Sequence, residues 1–381
     1  MVTETALIQS NWSFSLWAVL VLLATFGFWA DTTKLGKNIS GIALIMALAM
    51  ALSNTNILPK ASATYDVIWA YLVPLAIPLL LLKADLRRVL SETGGMLIAF
   101  FFGALGSSLG AIIGFYLLPL GDEAAKLAGV FSATYIGGSM NMAAVTQSVA
   151  LEPSIATASV AADNVVGVMY LTFLAIAPSL ALIRWLFRGS KVYENNSIDN
   201  KQSKNRTVIQ LNLMHIGFAL GLSFAICAVG KVLAAYLDLA GYSIMFITAI
   251  TILIANVFHR KLKNIQGDYE IGLFFMYIFF AAIGISADVV AMLDKAFIIA
   301  VYALLIIVVH AIFIFAGSRL FKLELFEVII ASNACASGPA SAAALAAGRG
   351  RDDLVAPAVL LGVFGYAVAN FIGVMLATLL A

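Results

Sequence analysis

Twelve apolar stretches, separated by polar turns, take up most of this 381-residue chain. They run at about 11–30, 39–57, 65–83, 95–120, 127–149, 153–183, 211–237, 241–258, 270–291, 296–318, 326–347 and 354–381. A helix that crosses a bilayer needs roughly 20 mostly apolar residues, and most of these stretches reach that length. The second and eighth are shorter or interrupted. Charged residues make up 11% of the chain and the mean hydropathy is +1.01. A soluble domain carries ~25% charge and needs it to cover its surface. The sequence therefore predicts an all-α polytopic membrane protein. It excludes a soluble enzyme, a nucleic-acid binder and a disulfide scaffold. The net charge of +2 offers no basic field for nucleic acid. Cys227 and Cys335, both in apolar surroundings, read as small buried side chains. The first stretch does not read as a cleaved leader, since Met1 to Trp12 carries no Lys or Arg and the apolar run is too long.

The one long polar stretch, Arg184 to Arg206, is rich in Asn, Ser and Lys and reads as a solvated linker. It divides the chain into a first repeat (1–186), a linker (187–208) and a second repeat (209–381). Asn164-Val165-Val166-Gly167-Val168-Met169-Tyr170-Leu171-Thr172-Phe173-Leu174 matches Asn370 to Leu380 at six of eleven positions, at an offset of 206. Ala84-Asp85-Leu86 matches Ala287-Asp288-Val289 at an offset of 203, and Gly138 matches Gly338 at 200. Three matches in the same order argue for an internal duplication.

The basic residues choose between two topologies. If all twelve stretches cross, the 22 Lys and Arg divide 13 to 9 between the two sides. If the fifth and eleventh enter the membrane and turn back, each half crosses five times, the second half is inverted, and the division becomes 18 to 4. Only the second satisfies the positive-inside rule. It places both termini outside the cytoplasm and the linker within it, in a cell inner (plasma) membrane.

Both re-entrant stretches are built from small residues and interrupted at their centres. The fifth contains Gly137-Gly138-Ser139-Met140-Asn141 and the eleventh Ser337-Gly338-Pro339-Ala340-Ser341. Glycine supplies the backbone freedom a turn requires, and proline loses nothing as the first residue of a following helix. Broken backbone at membrane depth is tolerated only where protein encloses it or water reaches it. Matched breaks in two halves point to a substrate site of a transporter, although small residues also serve close helix packing. Gly137, Gly138, Ser139, Asn141, Ser337, Gly338, Pro339 and Ser341 are thus the candidate substrate-binding residues.

Asp163 lies ten residues into its stretch from Pro153, about 15 Å deep at ~1.5 Å per residue. An ionisable group near the bilayer centre reads as functional. With Asn164, Asn141 and Asn370 it forms a candidate site for Na⁺ or H⁺. Asp85 and Asp288, closer to segment ends, read as caps or interface residues, and His310 as a hydrogen-bonded structural residue. Tyr135, Thr134, Thr146, Gln147, Asn333 and Tyr366 are secondary candidates. No Lys or Arg lies at the centre of any stretch, which favours a monoanion, a zwitterion or a neutral solute.

The Tyr135-Ile136-Gly137-Gly138-Ser139-Met140-Asn141 break, followed by Ala161-Ala162-Asp163-Asn164-Val165-Val166-Gly167, resembles the membrane family called domain of unknown function 819 along essentially the whole chain. That family is similar in plan to cation/proton antiporters and to sodium-coupled bile-acid-type and glutamate- or citrate-type transporters. The likeness implies a homodimeric elevator. Its scaffold would comprise the first two segments of each repeat, and its mobile core the broken segments. Asp163-Asn164 resembles the antiporters' cation-binding pair in reversed order. The function to expect is Na⁺- or H⁺-coupled symport of a small organic solute without a cofactor; the alternatives are a cation/proton antiporter and, more remotely, an intramembrane enzyme. Against the last, there is no His-Glu-x-x-His motif and no nucleophile identifiable beside His310.

Overall fold

A computed structural model describes residues 6–33, 41–187, 212–239, 242–287, 289–349 and 351–381. Lys34, Lys37, Asp288 and nearly all of the linker lie outside the described residues. Among the described residues the elements are all helices joined by short turns, with no strand. In the first half α1 is Ser13–Thr32, α2 Gly41–Asn54, α3 Ala63–Leu81, α4 Leu86–Glu92 and α5 Gly95–Leu117. There follow α6 (Ala124–Gly137), α7 (Ser139–Ser148), α8 (Pro153–Ile176) and the short α9 (Ala181–Leu186). The second half runs α10 (Leu213–Tyr236), α11 (Ser243–Val257), α12 (His259–Leu262), α13 (Asp268–Ser286), α14 (Val289–Leu320), α15 (Leu325–Ser337), α16 (Pro339–Gly348) and α17 (Val355–Leu380). Eight helices are long and apolar enough to cross a membrane; α2 and α11 are shorter apolar helices.

The fifth and eleventh stretches do turn back. Lys126 at the start of α6 donates to the Ala150 carbonyl just beyond α7, at 3.1 Å. In the second half Glu324, which precedes α15, accepts from Arg351 beyond α16 at 2.6 and 2.8 Å. A pass across the ~30 Å hydrocarbon layer would hold these partners far apart. Each pair instead closes the base of a hairpin.

Both hairpins turn on a single glycine. Gly138 has φ +81° and ψ −179°, and Gly338 has φ +88° and ψ −175°, a region essentially closed to other residues. A Cβ added to Gly138 would lie 3.2 Å from the Ser337 carbonyl carbon and 3.3 Å from the Gly338 nitrogen. The two tips therefore meet backbone to backbone. Pro339 opens α16, where its missing N–H costs no helical bond.

Helix α17 passes both breaks along a face of small residues. Gly362 lies against the Pro339 backbone, Gly365 against Ile136 and Gly137, and Gly373 against the Gly129 carbonyl. On α5, Gly103, Gly106, Gly110 and Gly114 admit α14 equally closely, with the Ile306 and His310 backbones at 2.9 Å from where a Cβ would stand. Small residues permit such approach in membranes, where there is little hydrophobic drive between helices.

Packing sorts the helices into two groups. One comprises α1, α2, α3, α10, α11 and α13; the other α5 to α8 and α14 to α17. The third helix of each half thus joins the first two, so the first group is larger than the two-segment scaffold implied by family likeness. Helix α3 carries Pro74 and Pro78, and its Ile68–Leu72 turn is a π-helix. A proline has no N–H for an upstream carbonyl, so acceptors are set free. Lys231 of α10 donates to the Ala70 carbonyl at 2.9 Å, and the Cys227 thiol to that of Pro74 at 3.2 Å. Gln147 of α7, from the other group, takes the Trp69 carbonyl.

Two measurements test this account. Gly138→Ala forces a side chain into a strained turn worth about 1–3 kcal/mol and crowds the facing tip. We expect a lower thermal midpoint for the detergent-purified protein, and a larger drop than for Gly217→Ala, where nothing lies within 4 Å. At the base of the second hairpin, the Arg351 guanidinium hydrogen-bonded to Asp353 holds that carboxyl below its ordinary value of 3.8. The folded pKa is depressed, so the stabilisation is present above 3.8 and lost as pH falls through the folded value. The stability difference between wild type and Asp353→Asn should hold from neutral pH to about 4 and close below it.

Candidate functional site

The first hairpin tip carries two polar side chains two residues apart, and each finds a different partner. Ser139 donates to Asp163 Oδ2 at 3.3 Å. Tyr135, one turn before the break, faces the same carboxylate. Its hydroxyl is buried and makes no hydrogen bond of good geometry. Asp163 joins no ion pair among the described residues; the ion pairs described there involve loops and helix ends. An acid in the middle of a 24-residue apolar helix is costly, and here its close contacts are hydroxyl groups.

Asn141 points the other way. Its Nδ2 donates to the Asn370 side-chain oxygen at 2.8 Å and to the Tyr366 carbonyl at 3.0 Å. Asn370 donates in turn to Thr248 of α11 at 3.5 Å, a partner in the other helix group. The Asn141 Oδ1 is buried and has no hydrogen-bond partner. A buried polar atom left in this state is the kind of acceptor a cation or water completes. Beside it a cavity of about 20 Å³ lies between Asn141, Tyr366 and Asn370 on one side and Leu80 of α3 and Met276 of α13 on the other. That is room for about one water molecule or one unhydrated ion. The cavity sits where the two helix groups meet.

The remaining candidates divide. Gly137 has no room for a side chain, with Asn141 Oδ1 at 2.3 Å and the Gly365 carbonyl at 2.7 Å from a Cβ built there. Gly338 stands under the Tyr366 hydroxyl, 3.3 Å from such a Cβ, and Pro339 abuts Gly362. Ser337 ends α15 with its side chain exposed beside the crossing. Ser341 turns away from the tips, its hydroxyl paired with the Asn333 amide at 3.0 Å across its own hairpin. Asn164 bonds back to the Val160 carbonyl at 2.8 Å, along its own helix. Asp163, Ser139 and Tyr135 thus form one cluster and Asn141, Asn370 and Tyr366 another, joined by two residues of backbone.

Among the other residues singled out from the sequence, Asp85 caps α4, accepting from the Arg87 N–H at 3.1 Å. Both cysteines are free and buried. His310 is fully buried, and its tautomer follows from its partners. Nδ1 lies 3.0 Å from the Gly103 carbonyl, which can only accept, so Nδ1 carries the proton. Nε2 then accepts from Ser332 at 2.9 Å, and Ser332 accepts from Tyr170 at 2.5 Å. This corrects the sequence reading that no nucleophile stands beside His310. Ser332 does, but both residues are 0% exposed and the serine's bonds are taken, which suits a packed structural network. Thr248 and the α3 wall were missed because nothing local marks them; Pro74 and Pro78 inside an apolar stretch were the available signal for α3.

The whole of this arrangement falls within one family's sequence pattern. The model of a protein family of unknown function, DUF819, matches residues 18–381. The chain belongs to that family. It is also 31% identical over 389 residues to the uncharacterized membrane protein YjcL of Bacillus subtilis (strain 168), covering 97% of each chain. Both findings agree with a multi-pass membrane protein whose helices contact lipid.

A double-mutant cycle checks the polar junction between the halves. Asn141→Ala strands the Asn370 oxygen and the Tyr366 carbonyl and should cost about 1–3 kcal/mol. Asn370→Ala should cost a similar amount, and the pair should couple by roughly 0.6–2 kcal/mol in unfolding titrations. Additive losses would mean that the two asparagines do not interact.

Proposed function

We propose that the protein is a secondary active transporter that couples the movement of a small organic solute to Na⁺ or H⁺, and that it works as an elevator. The observation that carries this reading is the meeting of two broken hairpins, tip to tip, beside an acid that joins no ion pair among the described residues. Asp163, with Asn141 and Asn370 and assisted by Ser139 and Tyr135, would hold the coupling ion; the Gly138 and Gly338 tips would hold the solute. Backbone N–H groups at a helix break suit a carboxylate or another weakly charged group. No described Lys or Arg enters the cluster, in keeping with a monoanionic, zwitterionic or neutral solute.

The division into two helix groups supports movement of one against the other. The polar side-chain bonds between them among the described residues are few: Gln147 to Trp69, Asn370 to Thr248, Tyr242 to Thr378 and Tyr269 to Tyr366. An apolar cleft of about 530 Å³ separates much of α11 from α17. In this reading the first group is the stationary scaffold of a homodimer in the inner membrane. The second moves, and its hairpins enter from opposite sides because the halves are inverted. The 18 to 4 division of basic residues supports that orientation, with both termini outside.

The small cavity beside Asn141 favours a second reading, cation/proton antiport, since it fits an ion and not an organic molecule. Vesicles containing the purified protein separate the two. Proton movement driven by a Na⁺ or K⁺ gradient, with no solute present, would indicate antiport. For symport, a panel of amino and carboxylic acids is screened for uptake driven by Na⁺ or pH gradients. In either case Asp163→Asn should reduce ion-driven flux at least tenfold while leaving the thermal midpoint and the oligomeric state unchanged. Undiminished flux would overturn the role given to Asp163.

A further inference from the structure

The cytoplasmic-type loops hold a second concavity, distant in chemistry from the hairpin tips. It measures about 590 Å³ and is framed by the α3–α4 turn on one side and the α11–α12 turn on the other. Its lining is basic: Arg87 and Arg88 come from α4, Lys83 from the turn before it, and His259, Arg260 and Lys263 from α12 and its flank. Asp85 is the only acid among the lining residues. The positive-inside rule accounts for these charges lying on one side of the membrane. It does not account for their converging on one cavity from segments some 170 residues apart.

Two further facts make this a built site. Its walls are fixed to each other by Asn256, whose side-chain oxygen accepts from the Leu86 N–H at 2.9 Å and whose Nδ2 donates to the Ala84 carbonyl at 3.0 Å. Its charges are also only partly answered from within. Lys83 is paired with Asp268 at 2.6 Å and Arg88 with Glu92 at 2.7 Å. Arg87, Arg260 and Lys263 join no ion pair among the described residues, and all three are exposed. Three unanswered cations held around one cavity repel one another until an anion joins them. A phosphate group, with several acceptor oxygens, is the chemistry that arginines match best.

We propose that this cavity binds a phosphate-bearing anion. The volume lies in the range of small-ligand sites. Exposed apolar side chains adjoin it in sequence, Leu90 on α4 and Val257 and Phe258 at the end of α11. They suit an anionic phospholipid headgroup whose acyl chains run into the bilayer, with a soluble phosphate compound as the other source of the same chemistry. Helix α4 connects α3 of one helix group to α5 of the other and also touches α17. A bound anion would therefore tie this connecting helix to α11 and α12. The assignment does not depend on the transport reading, and its test does not use transport.

The full-length protein is reconstituted in nanodiscs of phosphatidylcholine alone or with added phosphatidylglycerol, and in detergent is titrated with inorganic phosphate or ATP. The readouts are the thermal midpoint and hydrogen exchange across residues 83–92. Phosphatidylglycerol is expected to raise the midpoint by about 2–4 °C and slow exchange in that segment. The triple variant Arg87→Gln/Arg260→Gln/Lys263→Gln should lose both effects. Lys191→Gln/Lys201→Gln/Lys204→Gln, which removes equal charge from the linker, should keep them. A matching response to phosphate or ATP, lost in the same triple variant, would support the site with a soluble anion as its occupant. Single variants should each lose part of the response, so the comparison survives poor folding of the triple variant. No response to any of these anions, or an equal response in both triple variants, would overturn the proposal.

Discussion

A helix that stops inside a membrane leaves several N–H and C=O groups with no water to bond, and the rest of this structure is arranged around two such stops. Gly138 and Gly338 end their helices inside the apolar stretches, in a backbone conformation that glycine alone adopts readily. The interrupted segments are sheltered by each other's tips and by α17. The close approach requires the absence of side chains along the line of contact. The Gly362, Gly365 and Gly373 face of α17 and the paired glycines at the tips are one solution to one constraint. The polar side chains follow from it, since a break that must be enclosed brings its first-turn residues against whatever encloses it. Ser139 meets Asp163 and Asn141 meets Asn370 for that reason.

How much of this could be read from the chain differs by level. Crossing helices were legible because hydropathy reports them directly, and their ends lie within a few residues of the apolar stretches. The hairpins were legible through charge. A segment that turns back reverses the side of every basic residue after it, so Lys and Arg far from Gly138 and Gly338 recorded the fold of those turns. The charge count asked for one such segment in each half, and the contacts between Lys126 and Ala150 and between Glu324 and Arg351 close hairpins in the two stretches whose small-residue composition suited a turn.

The partners at the site were less legible. Asn141 and Asn370 are separated by 229 residues, and no periodicity records which polar group meets which across that distance. Ser341 has the same chemistry as Ser139, yet it turns to Asn333 because its own hairpin offers an amide at hand. The first group of helices also differs from the two-segment scaffold implied by family likeness. Helices α3 and α13 are buried on most sides, and a helix apolar all round carries no stripe to say which neighbours it prefers.

The prolines of α3 have a consequence for how substitutions would register in this family. Most contacts between helices depend on two side chains, so that either position can break them. Here the acceptors are main-chain carbonyls freed by Pro74, Pro78 and the π-turn, and the donors are Lys231, Cys227 and Gln147. Residues 69 and 70 can therefore vary in side chain without removing an acceptor. The information that docks α10 and the first hairpin onto α3 is held in the donor side chains and in the spacing of two imino acids, not in the side chains of residues 69 and 70.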